Sequence, residues 1–338
     1  MTITIADIAR IANVSTATVS AVLNEKPTVA PETRTKVLDV IKKLNYRPSG
    51  VARSLSSRKT KSIGLVIKEI DNPYFAKVMK GVFDASCENG YTVLLGSSEL
   101  SPVQELKSIE TLASHRVDGL IISPLQNSDM DFGYLSDLIR EKYPLVMLGS
   151  VKNFATNMVD IDNVAAARQA VNYLIGLGHT RIGYFAGPSH SAHSEDRLLG
   201  YQQAHIEHHL PLRKDLIISV GSYIENSFEI AREIFASSQD LPTAVFCYND
   251  LVAIGLINAL LELKIKAPEQ VSVIGFDNID FCESVKIPLT TIHVPAYEIG
   301  RKATELLIRQ IDNPDEFLNE KILLETRLIE RSSCVRVS

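Results

Sequence analysis

From Ser62 onward the chain alternates short, continuous apolar runs with longer amphipathic segments. A strand covered by helices on both faces is apolar at every position, whereas a half-exposed strand alternates apolar and polar residues. The pattern therefore predicts α/β units with parallel sheets. The predicted strands are Ile63–Ile67, Thr92–Leu95, Gly119–Ile122, Leu145–Leu148, Ile182–Phe185, Leu216–Val220, Ala244–Tyr248 and Val271–Phe276. The predicted helices are Tyr74–Glu88, Gln104–His115, Asn163–Leu177, Arg197–His209, Ser227–Ala236 and Leu251–Leu263.

These predicted strands are too many for one sheet of ordinary size. A break near Asp160–Asn163 divides them into two halves. We therefore expect two doubly wound lobes with a cleft between them, at the carboxyl ends of the strands, where open α/β sheets bind ligands.

The first sixty residues follow a different plan, with three short predicted helices. Thr4 and Asp7 have the spacing of a capping box, and Ser15 is a predicted N-cap for a helix over Thr16–Asn24. Pro31 at a first helical position opens the third helix. Two short helices joined by a tight turn and closed by a third are typical of a helix-turn-helix.

The second predicted helix has the side chains of a DNA-reading helix. Its inward positions are apolar, whereas Thr16, Ala17, Ser20 and Ala21 face outward. Small polar and methyl-bearing side chains let a helix approach base edges and thymine methyl groups closely. The polar residues Ser15, Thr18 and Asn24 suit phosphate contacts.

Charge supports a polyanionic partner for this end of the chain. Residues 1–60 carry ten Lys or Arg against four acids, a net charge of +6, while the whole chain has −5. A basic end on an acidic body indicates contact with nucleic acid. The alternative is a three-helix packing module that touches no nucleic acid.

Motifs for other activities are missing from the 338 residues. The chain has no P-loop, G-x-S-x-G, H-E-x-x-H or C-x-x-C, so we expect no enzyme activity, cofactor or metal. His205 and His209 share a predicted helix face without a third ligand, and we expect them on a solvated surface. The first residues lack a signal-peptide pattern and no apolar run spans a membrane, which favours a cytoplasmic protein.

The ordered motifs resemble those of the lactose-repressor (LacI/GalR) family across residues 3–332. In the first part of the chain they are Ile5–Ala9, Val14–Ser20, Leu23-Asn24, Thr33-Arg34, Leu44–Pro48 and Ala52–Leu55. In the second part they are Gly183–Pro188, Arg197–Tyr201, Asn249-Asp250, Val271–Asn278, Pro288–Ile292 and Arg327–Arg331.

The resemblance implies a homodimeric transcriptional repressor that reads a pseudopalindromic operator in double-stranded DNA. It implies a headpiece over 3–57 that includes a hinge helix over 48–56, followed by an effector-binding and dimerisation core over 61–332. Lobe 1 would span 61–160 and 293–322, and lobe 2 would span 161–292 and 323–332. The core would have a periplasmic-binding-protein-like fold. No heptad pattern follows Arg331, so we expect a dimer rather than a tetramer.

The hinge residues Ala52 and Leu55 are expected to contact DNA on the same resemblance. In the family, the leucine that matches Leu55 wedges between base steps in the minor groove. The alternative is that Leu55 docks on the core. Family recognition helices often carry a longer side chain at the position of Ala21, which cannot form a hydrogen bond with a base, so the operator does not follow from the sequence.

Polar residues after separate predicted strands indicate a ligand site in the cleft. Asn249 and Asp277 each follow a strand, so their side chains should converge there. The resemblance adds Tyr74, Phe75, Arg197 and Tyr223 as effector contacts. Carboxylate, amide, guanidinium and aromatic groups suit a sugar or related polyol. An alternative role for Asp277 is to cap the turn that follows its strand.

Ser191 and His193 differ from the ligand-contacting groups of a purine-binding family member, so purine recognition does not carry over. A transporter-associated sugar-binding protein is the main alternative function, and an enzyme within the α/β core is a third. The basic headpiece and the lack of a signal-peptide pattern favour the ligand-gated repressor.

Overall fold

The computed structural model describes residues 3–23, 27–46, 59–125, 133–149, 151, 154–189, 191–237, 240–314 and 319–337. By contacts the chain divides into two compact units, Met1–Thr60 and Lys61–Ser338. The predicted hinge over 48–56, with Ala52 and Leu55, and the predicted phosphate contact Asn24 lie outside the described residues.

The first unit is a three-helix headpiece, as predicted. Thr4 and Asp7 form the capping box that starts the first helix. Asn13 then takes the left-handed conformation (φ 52°) that ends this helix and turns the chain. The helices are α1 (Ile5–Ala12), α2 (Thr16–Leu23) and α3 (Pro31–Lys43).

A small apolar core holds the headpiece together. Ile8, Ala12, Val19 and Val37 are fully buried, one or more from each helix. A core of this size provides little burial energy, so good capping matters for the stability of the unit.

The second unit alternates helices and strands. The strands are β1 (Ser62–Ile67), β2 (Thr92–Ser97), β3 (Leu120–Ile122), β4 (Leu145–Leu148), β5 (Asn157–Ile161), β6 (Ile182–Ala186), β7 (Ile217–Ser219), β8 (Ala244–Cys247), β9 (Ser272–Asp277), β10 (Thr290–His293), β11 (Lys321–Leu324) and β12 (Arg327–Ile329). The helices are α4 (Pro73–Glu88), α5 (Pro102–Ser114), α6 (Gly133–Arg140), α7 (Asn163–Gly176), α8 (Ala192–Glu207), α9 (Ile224–Ser237), α10 (Asp250–Glu262) and α11 (Ala296–Asp312). Short 3₁₀ turns lie at Lys214–Leu216 and Asp280–Glu283.

The strands form two sheets, one in each lobe. The sheet of lobe 1 has the order β11-β5-β4-β3-β1-β2, with parallel pairing throughout. The sheet of lobe 2 has the order β12-β10-β9-β8-β6-β7, and only the edge strand β12 is antiparallel to its neighbour. The predicted fold class, two doubly wound lobes after a helix-turn-helix, is therefore confirmed.

Alternate side chains of the central strands pack against different helices. In β1, Leu65 packs with Val78 of α4 and Leu307 of α11 on one face of the sheet. Its neighbour Val66 packs with Leu112 of α5 on the opposite face. This burial on both faces explains why the strand is apolar at consecutive positions.

The predictions missed four strands and two helices. The missed strands β5, β10, β11 and β12 carry polar residues, as in the NMVDI sequence of β5, so they lack a continuous apolar run. The missed helices are α6 and α11. Several predicted ends were also wrong by a few residues, most clearly at α8, which begins at Ala192 rather than Arg197.

The chain passes between the lobes at three places. These are the segments from β5 to α7, from β10 to α11 and from β11 to β12. Because the chain crosses near the carboxyl ends of β5 and β10, loops of both lobes meet in the cleft.

Candidate functional site

The exposed side of α2 presents small side chains, and its first turn is capped. Ser15 Oγ accepts a hydrogen bond from Thr18 N at 3.0 Å and lies 2.9 Å from Thr18 Oγ1. Thr16 and Ala17 are exposed, while Ser20 and Ala21 are half-buried. On the other side, Val19 and Val22 are buried in the headpiece core, so α2 packs with Thr16 and Ala17 outward.

A pocket in the core is lined by residues of both lobes. Including the part open to solvent, it holds about 420 Å³ of empty space. It lies where β1, β8 and β9 end. Its lining comprises Lys68, Glu69, Asn72, Tyr74, Phe75, Leu100, Pro188, Ser191, His193, Arg197, Tyr248, Asn249 and Asp277.

Arg197 is held in the pocket by contacts on several sides. Its Nε donates to Asn163 Oδ1 at 3.1 Å, and Nη1 donates to the carbonyl oxygen of Tyr248 at 2.5 Å. The guanidinium carbon lies 3.7 Å from the ring centroid of Phe276 and 4.8 Å from that of Tyr248. The charged group is thus fixed against aromatic faces, with Nη2 3.6 Å from Asp277 Oδ1.

Asp277 stands at the end of β9 in an unusual backbone conformation, with φ 108°. Its side chain is buried, and burial raises the pKa of Asp277 to about 8, an effect that the nearby Arg197 opposes. The turn after β9 is capped by another carboxylate, because Asp250 Oδ2 accepts from Ile279 N at 2.9 Å. This bond fills the turn-capping role considered for Asp277, whose carboxyl group faces Arg197 instead.

Direct bonds join the two lobes around the pocket. Ser222 Oγ of lobe 2 donates to Glu69 Oε1 of lobe 1 at 2.5 Å. His193 Nε2 of lobe 2 lies 3.2 Å from Asp160 Oδ2 of lobe 1. These bonds hold the cleft closed, so a molecule in the pocket would have to fit between them or replace them.

Five of the residues predicted from the sequence line this pocket, namely Tyr74, Phe75, Arg197, Asn249 and Asp277. The amide of Asn249 is engaged within lobe 2, since Oδ1 accepts from Val252 N and Nδ2 donates to Ser222 O. Tyr223 is not part of the lining. It lies beside Glu69, and burial together with that carboxylate raises the pKa of the Tyr223 hydroxyl.

Sequence reasoning missed Lys68, Glu69 and Tyr248 in the pocket. A signal for them existed: each follows an apolar strand within two residues, as Asn249 does. Asp160 was missed because β5 itself was missed. Gly187 leaves space for the ring of Tyr248, since a Cβ atom at Gly187 would lie 2.5 Å from that ring.

The predicted solvated surface at His205 is wrong. His205 is 1% exposed, its Nδ1 lies 2.9 Å from Tyr201 O, and the two rings pack with centroids 4.3 Å apart. Burial lowers the pKa of His205. The helix ends at Glu207, so His209 does not share its face.

Within the described ranges, no helix is both long enough and apolar enough to cross a membrane.

Comparison with known protein families agrees with this architecture. Residues 4–49 match the bacterial regulatory proteins of the lacI family. Residues 171–334 match the periplasmic binding protein-like domain.

Individual relatives match over nearly the whole chain. The HTH-type transcriptional repressor PurR of Klebsiella pneumoniae (strain 342) is 37% identical over 333 residues, which cover 98% of this chain and 96% of the relative. The transcriptional regulator CelR in complex with cellobiose has a TM-score of 0.74 and 29% identity, covering 98% of this chain and 99% of that one. The Lac repressor dimer bound to operator and the anti-inducer ONPF has the same fold, with a TM-score of 0.87, 23% identity, and coverage of 99% and 100%.

A helix-turn-helix followed by two periplasmic-binding-protein-like lobes defines a class of ligand-responsive bacterial regulators. The chain belongs to the lacI family of bacterial regulatory proteins. It is a DNA-binding transcriptional repressor of that family.

Proposed function

We propose that this protein is a homodimeric repressor whose hold on operator DNA is gated by a small metabolite in the cleft. The helix α2 of each protomer reads one half of a pseudopalindrome, and the core senses the metabolite. It acts as a regulator rather than an enzyme, and it acts in the cytoplasm, where operator DNA is found.

The observation that carries the gating is the shared pocket. Glu69 and Asp160 of lobe 1 bond directly to Ser222 and His193 of lobe 2 at its edge. A ligand shifts a conformational equilibrium by the difference between its affinities for the two states. A molecule that touches both lobes has such a difference, because the distance between its contacts changes with the closure of the cleft.

The lining suits a sugar or related polyol. Arg197 and Asp277 offer a donor and an acceptor for hydroxyl groups, while Tyr74, Phe75 and Tyr248 supply aromatic faces for C–H surfaces. The cellobiose complex of the CelR relative supports this class of ligand.

The DNA-reading role of α2 is tested by adding a negative charge to its exposed face. The operator is first selected from random duplexes with the full-length protein, and we expect two related half-sites. Ala17→Glu should then weaken operator binding at least tenfold, since a lost base contact amounts to about 1–3 kcal/mol. Leu38→Glu adds the same charge at an exposed position of α3 and should leave binding within about twofold. Equal loss in both variants would contradict reading by α2.

Gating is tested by titrating sugars and polyols into the complex with the selected operator. Release or strengthening of the complex by one of them, with saturation, is the expected result. A protein that binds a sugar while its operator affinity stays constant would instead support the transporter-associated sugar-binding role. Calorimetry on the full chain without DNA should detect binding of the same ligand.

A further inference from the structure

Lys68 is a cation inside the pocket for which the family resemblance assigns no role. It follows β1 directly, at the carboxyl end of a central strand of lobe 1, and its side chain lines the pocket with Arg197 and Asp277. Only 4% of the residue is exposed. Lysine is rarely buried to this degree unless its ammonium group has a partner.

Within the described ranges, however, Lys68 Nζ forms no hydrogen bond, and no carboxylate lies within 4.0 Å of it. The carboxylates that act on the Lys68 ammonium group through their charge are Glu105, Asp160 and Glu69. Burial lowers the pKa of Lys68 to about 8, and these carboxylates counteract that effect. The side chain is therefore still mostly charged at neutral pH.

The surrounding carboxylates already have their own partners. Glu105 accepts from Leu125 N and from Tyr134 OH, both at 2.8 Å. Asp160 faces His193 at 3.2 Å, and Glu69 accepts from Ser222. Among the described residues, these carboxylates are therefore already engaged, and an acidic group on a ligand in the pocket would give Lys68 an acceptor of its own.

A second cation in the same pocket makes the need for an anion stronger. Arg197 also lines the pocket, and its charge lowers the pKa of Lys68 further. Two like charges in a buried site repel each other, and a negative group that binds between them stabilises both. A neutral hydroxyl can accept from one of them but does not compensate their charge.

We propose that the effector carries a carboxylate or phosphate group that binds Lys68, so that its class is an acidic sugar or sugar phosphate rather than a neutral polyol. The inference rests on the proposed function of the cleft. The acidic group accepts charge-assisted hydrogen bonds from Lys68, which leaves the hydroxyl groups for Asp277, Arg197 and the aromatic rings.

The test uses matched pairs of neutral and acidic sugars with the full-length protein. Each common hexose and pentose is compared with its uronate, its aldonate and its phosphate by calorimetry, at constant ionic strength. We expect an acidic member to bind at least tenfold more tightly than its neutral parent, as a charge-assisted hydrogen bond provides. The uronate, aldonate and phosphate arms distinguish a carboxylate from a phosphate.

Substitution then assigns the effect to one side chain. Lys68→Met keeps the length of the side chain and removes its charge, and it should lower the affinity for the acidic ligand at least tenfold while affecting the neutral parent little. Lys80→Met removes a cation from an exposed position of α4 in the same lobe and should have no such effect. Lys68→Gln serves as a second neutral variant. Melting curves of Lys68→Met and Lys68→Gln show whether the fold is kept.

Tighter binding of a neutral sugar than of its acidic counterparts overturns the inference. If that neutral sugar changes operator binding, the proposed function still holds. Acidic ligands that bind equally well to Lys68→Met also overturn it, as does a panel in which no acidic compound binds. If ligands bind and none changes operator affinity, the gating proposal fails instead.

Discussion

The headpiece and the cleft are built by different means. The proposed DNA-reading face of the headpiece is one short helix, in which Thr16 and Ala17 point outward because Val19 and Val22 point inward. The pocket instead collects side chains from distant parts of the chain, such as Lys68 after β1 and Asp277 at the end of β9.

This difference determines how amino-acid substitutions should affect DNA reading and ligand binding. A face formed by one helix can be changed position by position, with the inward residues acting only as support. In the pocket, several residues bond to one another across the lobes, as Glu69 does to Ser222. A single change there affects both ligand contacts and closure, so effects of neighbouring substitutions should not add simply.

Operator binding and effector binding should differ most in their dependence on salt concentration. If the basic headpieces contact phosphates, log operator affinity falls by roughly 0.9 per phosphate for each unit of log salt, or about 10³–10⁵-fold between 50 and 200 mM for 6–10 contacts. Effector binding in the buried pocket should change far less, because buried charges are screened weakly. Fluorescence anisotropy for DNA and calorimetry for the effector measure both. Operator binding that does not respond to salt would contradict phosphate contact.

Leu55→Ala should act on operator binding alone. Loss of a side chain wedged between base steps should weaken binding by a few kcal/mol, roughly a hundredfold, since unstacking and bending are no longer supported. Effector affinity should remain unchanged. A comparable loss of effector binding would show that Leu55 docks on the core.

Asp277→Asn should weaken effector binding and leave operator binding unchanged. At pH 9, above the pKa of about 8 to which burial raises Asp277, we expect about a ten- to hundredfold loss of affinity for the metabolite that alters operator binding, because a charge-assisted hydrogen bond of about 1.5–3 kcal/mol is weakened. Operator affinity without effector should stay within about twofold, which gel shift can measure. A normal effector dose–response in this variant would exclude Asp277 from recognition and leave Arg197 as the main polar contact.

The smallest expected effect concerns stability. Ile8 and Ile274 are both fully buried, one in each unit. Replacing either with valine should cost about 0.5–1.5 kcal/mol. In calorimetry of the full chain, Ile8→Val should shift only the melting of the headpiece, and Ile274→Val only that of the core. Equal shifts of one shared transition would show that the two units unfold together.

The sequence by itself determined the class of fold and the elements of the headpiece. Capping residues such as Thr4 and Ser15, the inward spacing of Val19 and Val22, and the continuous apolar run of β1 are local signals, and the structure follows them. The sequence also placed Asn249 and Asp277 in a shared cleft, since polar residues after parallel strands meet at one edge. Arg197 was placed there by the family resemblance.

Tertiary structure alone decided which groups are paired. Nothing local distinguishes Asp250, which caps the turn after β9, from Asp277, which faces Arg197. Likewise, no local pattern shows that Lys68 is buried without an acceptor among the described residues, whereas its neighbour Glu69 bonds to Ser222. These properties depend on distances between residues far apart in the chain, because pairing and desolvation are fixed only when both lobes have folded and closed around the pocket.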